Sequence, residues 1–341
     1  MDNNYSKILK NARIVLEVSC DVKKNEKVAI LVHERDSGFY QVSKEDAQAL
    51  AIIAVQMQAY PVIININEYG TTDAFKKMEI FEPVRGALMA ADVVIGTFGD
   101  YVHLGCNKSS ADTGGDEFHT ESKRWFSLQR HMDKWDINAE EIAEIPRRTE
   151  WLRKKLDSTR EIRVTTNTGT DFTCSPGKYN LVIRIIPNYA EIAVTPQQGT
   201  ENGVIVVDGA TSAPWDPGYP WVRRFDKLDR EPLRINVKSG EVQDCSGDPE
   251  QVKNLEQFLK CGSPPARYID EVGIPTSRVK ANDICWSDGT HSIETIHIAL
   301  GNNIYRDELI HGKIHMDMEI IKPSIFLDDE IIMKDSVFVN E

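Results

Sequence analysis

The chain has 341 residues, of which 41% are apolar and 27% are charged, and its formal net charge is −13. This length predicts a large buried core and two domains, and the lack of any run of about 18 apolar residues predicts no membrane-spanning helix. The acidic balance argues against a nucleic-acid partner, because a phosphate-binding surface needs a local excess of Lys and Arg. The six cysteines are scattered, and no basic-then-apolar leader opens the sequence, so we expect a cytoplasmic protein.

The first part of the chain alternates helix and strand patterns. Short apolar runs separated by helices are typical of a parallel sheet with helices on both faces. Ser43 stands before the second helix as a candidate N-cap. The predicted helices are 5–19, 42–58 and a segment near 82–91, and the predicted strands are 27–33, 61–67 and 92–98. We therefore predict an α/β domain with a mostly parallel sheet over residues 1–137.

The pattern changes after a long charged helix, which we predict over residues 138–160 as the link between the domains. Beyond it, glycine turns separate short strand-like segments, with one helix near 249–260. Residues 161–341 are thus predicted to form a β-rich α+β domain whose strands are mostly antiparallel.

Histidines cluster near the end of this second domain. Alternate residues of a strand share a face, so KIHMDMEII (313–321) places His315 and Asp317 together, and ETIHIAL (294–300) places His297 beside small residues. An imidazole and a carboxylate two residues apart can bind one ion, or the carboxylate can orient the imidazole. Two half-buried strands that turn polar faces to water would show the same alternation, and spacing alone leaves both interpretations open.

Longer segments resemble the thermophilic-type metallo-aminopeptidases, a family that includes the bacterial aminopeptidases T and S. The resemblance runs nearly end to end, beginning with KNEKVAILV (24–32), and its most specific part is a set of four metal-ligand segments. These are AEIAVTP followed by ENGVIVVDG, then EVGIP, HIALG and the final H-x-D. By this resemblance the metal ligands are Glu191, Glu271, His297, His315 and Asp317.

The resemblance implies a metal-binding C-terminal domain, a homodimer and a hydrolase of amide or peptide bonds. Two divalent ions, Zn²⁺, Co²⁺ or Mn²⁺, would activate a hydroxide and polarise the scissile carbonyl, with Glu271 as the candidate bridging ligand. The family carries a catalytic tyrosine shortly after HIALG, and Tyr305 is the candidate here. The substrate would be a peptide or another small molecule.

A second branch of the same superfamily provides the alternative. The 2,5-dihydroxypyridine ring-cleaving dioxygenases share this scaffold and hold one Fe(II) through two His and one Asp. Their pattern replaces Glu271 by His and lacks counterparts of Glu191 and His297, whereas this chain retains all three. His103 stands about where that branch places an acid–base histidine. The sequence therefore favours the hydrolase, with the Fe(II) dioxygenase as the alternative.

Overall fold

Two compact units make up the structure, a computed structural model that describes residues 3–32, 42–66, 82–96, 124–128, 131–186, 189–211, 231–261, 264–278, 294–301 and 315–341. The first unit comprises Met1–Ala143 with Arg184–Pro187, and the second comprises Glu144–Ile183 with Asn188–Glu341. No helix within the described ranges is long and apolar enough to cross a membrane.

The first unit is built on a parallel sheet. Its strands are β1 (Lys27–Val32), β2 (Tyr60–Asn65), β3 (Val93–Gly96) and β4 (Arg124–Leu128). Their order is β2-β1-β3-β4, and every pairing is parallel. The central strands β1 and β3 are apolar and almost entirely buried, as expected where both faces of a sheet are covered. Sequence patterning predicted the first three strands and missed β4.

Three helices accompany this sheet: α1 (Asn3–Ile14), α2 (Lys44–Gln56) and α3 (Glu82–Ala90). The first is shorter than the predicted 5–19 helix, because Val15–Ser19 forms a π-helical turn in which the Cys20 amide donates to the Val15 carbonyl at 2.8 Å. The predicted N-cap of α2 is confirmed, since the Ser43 hydroxyl accepts a hydrogen bond from the Asp46 amide at 3.0 Å.

Loss of this cap should destabilise the first unit. Replacing Ser43 by Ala leaves the Asp46 amide without its acceptor in a buried setting, and we expect the free energy of unfolding to fall by about 1 kcal/mol. Urea unfolding followed by circular dichroism measures the change. Ser43→Thr keeps the hydroxyl and serves as the control; equal unfolding midpoints for the two variants would show that the cap contributes nothing.

The second unit contains an antiparallel sheet of eight strands, a further group of antiparallel strands, α4 (Ala139–Leu156) for most of its length, and α5 (Pro249–Cys261). The eight-stranded sheet has the order β11-β10-β9-β6-β5-β15-β16-β17. Its strands are β5 (Ile162–Thr165), β6 (Asp171–Cys174), β9 (Asn202–Val207), β10 (Leu233–Lys238), β11 (Glu241–Ser246), β15 (Ser324–Leu327), β16 (Glu330–Lys334) and β17 (Val337–Phe338).

The smaller group of strands carries the histidine segments. β7 (Pro176–Ile186) leads into it, and the antiparallel strands that follow have the order β8-β12-β13-β14. They are β8 (Tyr189–Pro196), β12 (Ile269–Pro275), β13 (Thr295–Gly301) and β14 (His315–Ile321). One hydrophobic core joins these strands to the eight-stranded sheet and to both helices through residues such as Leu152 and Phe258. The predicted succession of a parallel α/β part and a mostly antiparallel β-rich part is thus present.

Candidate metal centre

The four strands β8, β12, β13 and β14 form a sheet with two chemically different faces. Their register places every second residue on the same face. One face is entirely apolar and buried in the core: Ile192, Val194, Val272, Ile274, Ile296, Ile298, Leu300, Met316, Met318 and Ile320. This apolar face fixes the register of the strands, because a slip of one residue would bury the polar set in the core.

The opposite face carries the ligand-type residues, and four of them lie beside a glycine or alanine of a neighbouring strand. His297 pairs with Gly273, His315 with Gly301, and Glu271 and Asp317 both flank Ala299. A Cβ atom added to Gly273 would lie 1.9 Å from Cε1 of His297, so this imidazole rests directly on the Gly273 backbone. Small residues on this face thus provide the space that the large ones occupy.

This polar face is buried. Three of its side chains, Glu191, Glu271 and His297, are each 2% exposed, and Asp317 is 6% exposed. The alternative of two half-buried strands that turn polar faces to water requires these groups to be exposed. That alternative is therefore wrong for the described part of the chain. Burial of ionisable groups costs free energy unless they are paired with one another or hold a metal. The buried acids and imidazoles of this face must therefore be stabilised by one another or by a bound cation.

Glu271 lies between the two imidazoles. Nε2 of His297 is 3.3 Å from one carboxylate oxygen of Glu271, and Nε2 of His315 is 3.7 Å from the other. On the far side of the His297 ring, Nδ1 is 3.7 Å from Glu191. Nε2 of His315 is also 2.8 Å from Asp317. The structure therefore brings together all five residues that the resemblance selected as metal ligands.

Asp270 is a further member of this cluster that sequence reasoning missed. Its carboxylate is fully buried and lies 2.8 Å from Nδ1 of His315. Simple alternation would place Asp270 and Glu271 on opposite faces, and a register irregularity between Ile269 and Glu271 brings them to the same one. The available signal was the pair of adjacent acids in an otherwise apolar strand, IDEVGIP.

The carboxylates control the charge of both imidazoles. Burial alone would lower the pKa of His297, but Glu191, Glu271 and Asp317 outweigh it and raise that pKa to about 10. Burial likewise opposes protonation of His315, yet Asp270 and Asp317 hold its pKa well above the ordinary value. Burial would raise the pKa of Asp317, and the neighbouring His315 lowers it instead. The cluster is therefore a strong attractor of positive charge.

The donor set fits a divalent metal ion. The cluster contains four carboxylates, Glu191, Asp270, Glu271 and Asp317, against two imidazoles, so its acids outnumber its bases even when both rings are protonated. Ligand atoms from Glu191, Glu271 and His297 all lie within 4.8 Å of one another. Mixed imidazole and carboxylate donors suit Fe²⁺, Mn²⁺, Co²⁺ or Zn²⁺, and a divalent cation would offset the excess negative charge.

The two proposed catalytic side chains, His103 and Tyr305, lie outside the described residues, and their roles stay predictions.

The second acid of β14, Glu319, lies on the same face as His297, and its carboxylate accepts a hydrogen bond from the Ala210 amide at 3.0 Å. That contact gives Glu319 a structural role in holding the chain that follows β9 against β14.

Two solved structures share this fold. A 2,5-dihydroxypyridine dioxygenase from Pseudomonas putida KT2440 superposes with a TM-score of 0.65 at 16% identity, covering 99% of this chain and 98% of that one. Wild-type AmpT from Thermus thermophilus superposes with a TM-score of 0.56 at 13% identity, covering 98% of this chain and 99% of that one. A search of curated proteins finds no match. Both branches named from the sequence are therefore relatives in fold.

The family comparison favours the dioxygenase branch over the aminopeptidase branch. The model of the NicX family, 2,5-dihydroxypyridine 5,6-dioxygenase, matches residues 7–340, which is nearly the whole chain. Sequence motifs placed the aminopeptidases first and the dioxygenases second, and this match reverses that order. The chain belongs to the 2,5-dihydroxypyridine 5,6-dioxygenase family.

Proposed function

We propose that this protein is a metal-dependent dioxygenase that opens a dihydroxylated nitrogen-containing aromatic ring, with a single Fe(II) held by His297, His315 and Glu271 or Asp317. The family match supports the reaction class. The observation that carries the proposal is that Nε2 atoms from two imidazoles face the two oxygens of one carboxylate, at 3.3 and 3.7 Å. Two imidazoles and one carboxylate are the donor set of non-haem Fe(II) oxygenases.

One departure from the dioxygenase pattern needs explanation. That pattern has a histidine where this chain has Glu271. In this chain the missing imidazole can come from the next strand, because the His297 ring rests on Gly273 and reaches the Glu271 carboxylate. The two-histidine requirement is then met with His297 and His315, and Glu271 becomes a candidate for the carboxylate member.

Iron(II), when bound, would supply a redox-active centre with open coordination positions. The protein's own residues would shape the reaction in three ways. Glu191 and Asp270 lie on the Nδ1 side of the two rings, so each imidazole presents Nε2 toward Glu271. Gly273, Ala299 and Gly301 leave room on this face for the ligand-type side chains to converge. The burial of the cluster keeps its charges unscreened by water, which strengthens their hold on a cation.

A dinuclear metallohydrolase is the second candidate, and a separate observation favours it. Glu191, Glu271 and His297 can direct three ligand atoms to one point, while His315 and Asp317 lie on the other side of Glu271. A carboxylate between two such sets could bridge two ions, and paired Zn²⁺, Co²⁺ or Mn²⁺ ions activate water for attack on amide bonds. In this scheme Glu191 is a ligand.

The Glu191→Ala variant separates the two candidates. A single-iron site does not use Glu191 as a ligand, so the variant should keep about one metal per chain, with an affinity loss of no more than about 10- to 100-fold from the disturbed His297. Glu201→Ala removes another buried glutamate, near Gly240, and is the control. Metal content by mass spectrometry and oxygen uptake on 2,5-dihydroxypyridine are the measurements. Two redox-inactive ions in the wild type, with one lost in Glu191→Ala and hydrolysis of an aminoacyl amide, would contradict the dioxygenase.

A further inference from the structure

We infer that Asp270 is a positioning residue for His315, fixing which ring nitrogen is presented to the metal. This rests on the metal site of the proposed function, and it holds for either reaction because both use His315. The Asp270 carboxylate lies 2.8 Å from Nδ1 of His315 and is fully buried. Nothing in the sequence resemblance pointed to it.

An irregularity in the backbone of β12 places this carboxylate beside His315. Ile269 pairs with Leu300 and Glu271 with Ala299, so two steps along β12 match one step along β13. Such a bulge inserts one extra residue and re-aims its side chain. Ile269 stays in the apolar core, and the extra residue, Asp270, joins Glu271 on the polar face. Without the bulge, only one of the two acids could reach His315.

The contacts of the ring assign its two nitrogens to different tasks. Nδ1 faces Asp270 at 2.8 Å, and Nε2 faces Asp317 at 2.8 Å and Glu271 at 3.7 Å. When Nδ1–H donates to Asp270, the Nε2 lone pair is left for a metal shared with those two carboxylates. A carboxylate in this position holds the tautomer, orients the ring and raises the basicity of the ligand nitrogen.

The other imidazole is positioned differently, which makes the role of Asp270 specific to His315. His297 is confined by the Gly273 backbone beneath its ring, and the acid on its Nδ1 side, Glu191, is 3.7 Å away, beyond hydrogen-bond distance. Gly301, opposite His315, has a positive φ of 109° and no side chain to confine that ring. Asp270 therefore holds the Nδ1 side of the His315 ring, and Asp317 contacts the Nε2 side.

The test is Co²⁺ binding to the full-length Asp270→Asn variant, followed by visible absorption. The neutral amide matches the carboxylate in size but can donate to Nδ1 and hold the wrong tautomer. We expect Co²⁺ affinity to fall about 10- to 100-fold and the Co²⁺ absorption bands to shift. Asp208→Asn is the matched control, since Asp208 accepts from the Ile321 amide at the end of β14 and from Thr168, not from an imidazole. It should leave the affinity and the bands unchanged.

Three outcomes are decisive. Weaker Co²⁺ binding and shifted bands in Asp270→Asn, but not in Asp208→Asn, support the inference. Equal binding and equal spectra in Asp270→Asn and the wild type overturn it while leaving the metal site intact. A wild-type chain that binds no Co²⁺ overturns the metal site and this inference together. Asp270→Ser, with the same expectations, takes the place of Asp270→Asn should that variant not fold.

Discussion

Glu271→Gln is expected to reduce metal affinity by more than about 100-fold, the largest effect of any single substitution in the cluster. The carboxylate lies between Nε2 of His297 and Nε2 of His315, so it is a candidate ligand of the single iron and the candidate bridge of the two-metal scheme. Gln keeps the volume and one oxygen but removes the charge that attracts a cation into a buried site. Activity should be lost in parallel with the metal.

A matched glutamate controls for the substitution itself. Glu319 lies on the same face of β14, and its carboxylate already accepts the Ala210 amide, a bond that a Gln oxygen can also accept. Glu319→Gln should therefore keep the metal affinity within a few-fold of the wild type. Isothermal titration with Co²⁺ or Fe²⁺ under anaerobic conditions measures both variants, and similar affinities for the two would remove Glu271 from the site.

Gly273→Ala is expected to displace an imidazole without changing any ionisable group. The new methyl would meet Cε1, Nε2 and Nδ1 of His297 at 1.9 to 2.5 Å, distances that force the ring to move. Such overpacking costs about 1–3 kcal/mol of stability, and metal affinity should fall because His297 leaves its position beside Glu271. Thermal unfolding and metal titration measure the two effects.

Gly86→Ala is the control for this change. Gly86 lies inside α3, and outside its own helix no atom of the described residues lies within 4 Å of an added Cβ. Ala is favoured over Gly in a helix by about 0.5–1 kcal/mol. The same substitution should therefore stabilise the chain slightly and leave metal binding unchanged. Unaltered metal affinity in Gly273→Ala would mean that the position of the His297 ring does not matter for binding.

Much of the fold was predictable because its elements are local. The apolar runs of β1 and β3 are typical of buried parallel strands, and the Ser43 cap is a short-range signal. The strand β4 was missed because its five residues, RWFSL, form no continuous apolar run. The change to antiparallel strands was visible in the glycine turns of the second part of the chain.

The site was predictable in composition but not in geometry. Alternation placed His315 and Asp317 on one face, and resemblance added Glu191, Glu271 and His297. The bulge at Asp270 adds one residue to one strand. The periodicity of a single strand does not reveal which of its residues is the extra one. The fit of His297 on Gly273 depends on cross-strand register, which forms only when the strands pair.

The sequence ranked the hydrolase above the dioxygenase, and this ranking shows how little a set of ligand-type residues says about the geometry of a metal site. Five retained ligand-type residues led to the two-metal hydrolase, because the sequence lists donors without saying which atoms face one another. In the fold, both Nε2 atoms face Glu271, and Glu191 and Asp270 lie beside the Nδ1 atoms. The same arrangement also suits the proposed single-metal site with two outer carboxylates, and the family match favours that proposal.

Anomalous diffraction from crystals of the protein loaded anaerobically with Fe²⁺ tests the central claim most directly. The proposal predicts one peak per chain at the iron edge, about 2.0–2.2 Å from Nε2 of His297, Nε2 of His315 and a carboxylate oxygen of Glu271 or Asp317. Asp270 should remain on Nδ1 of His315, outside the coordination sphere. A peak away from these atoms, or the lack of any peak in metal-loaded crystals, would contradict the claim that this buried face is a metal centre.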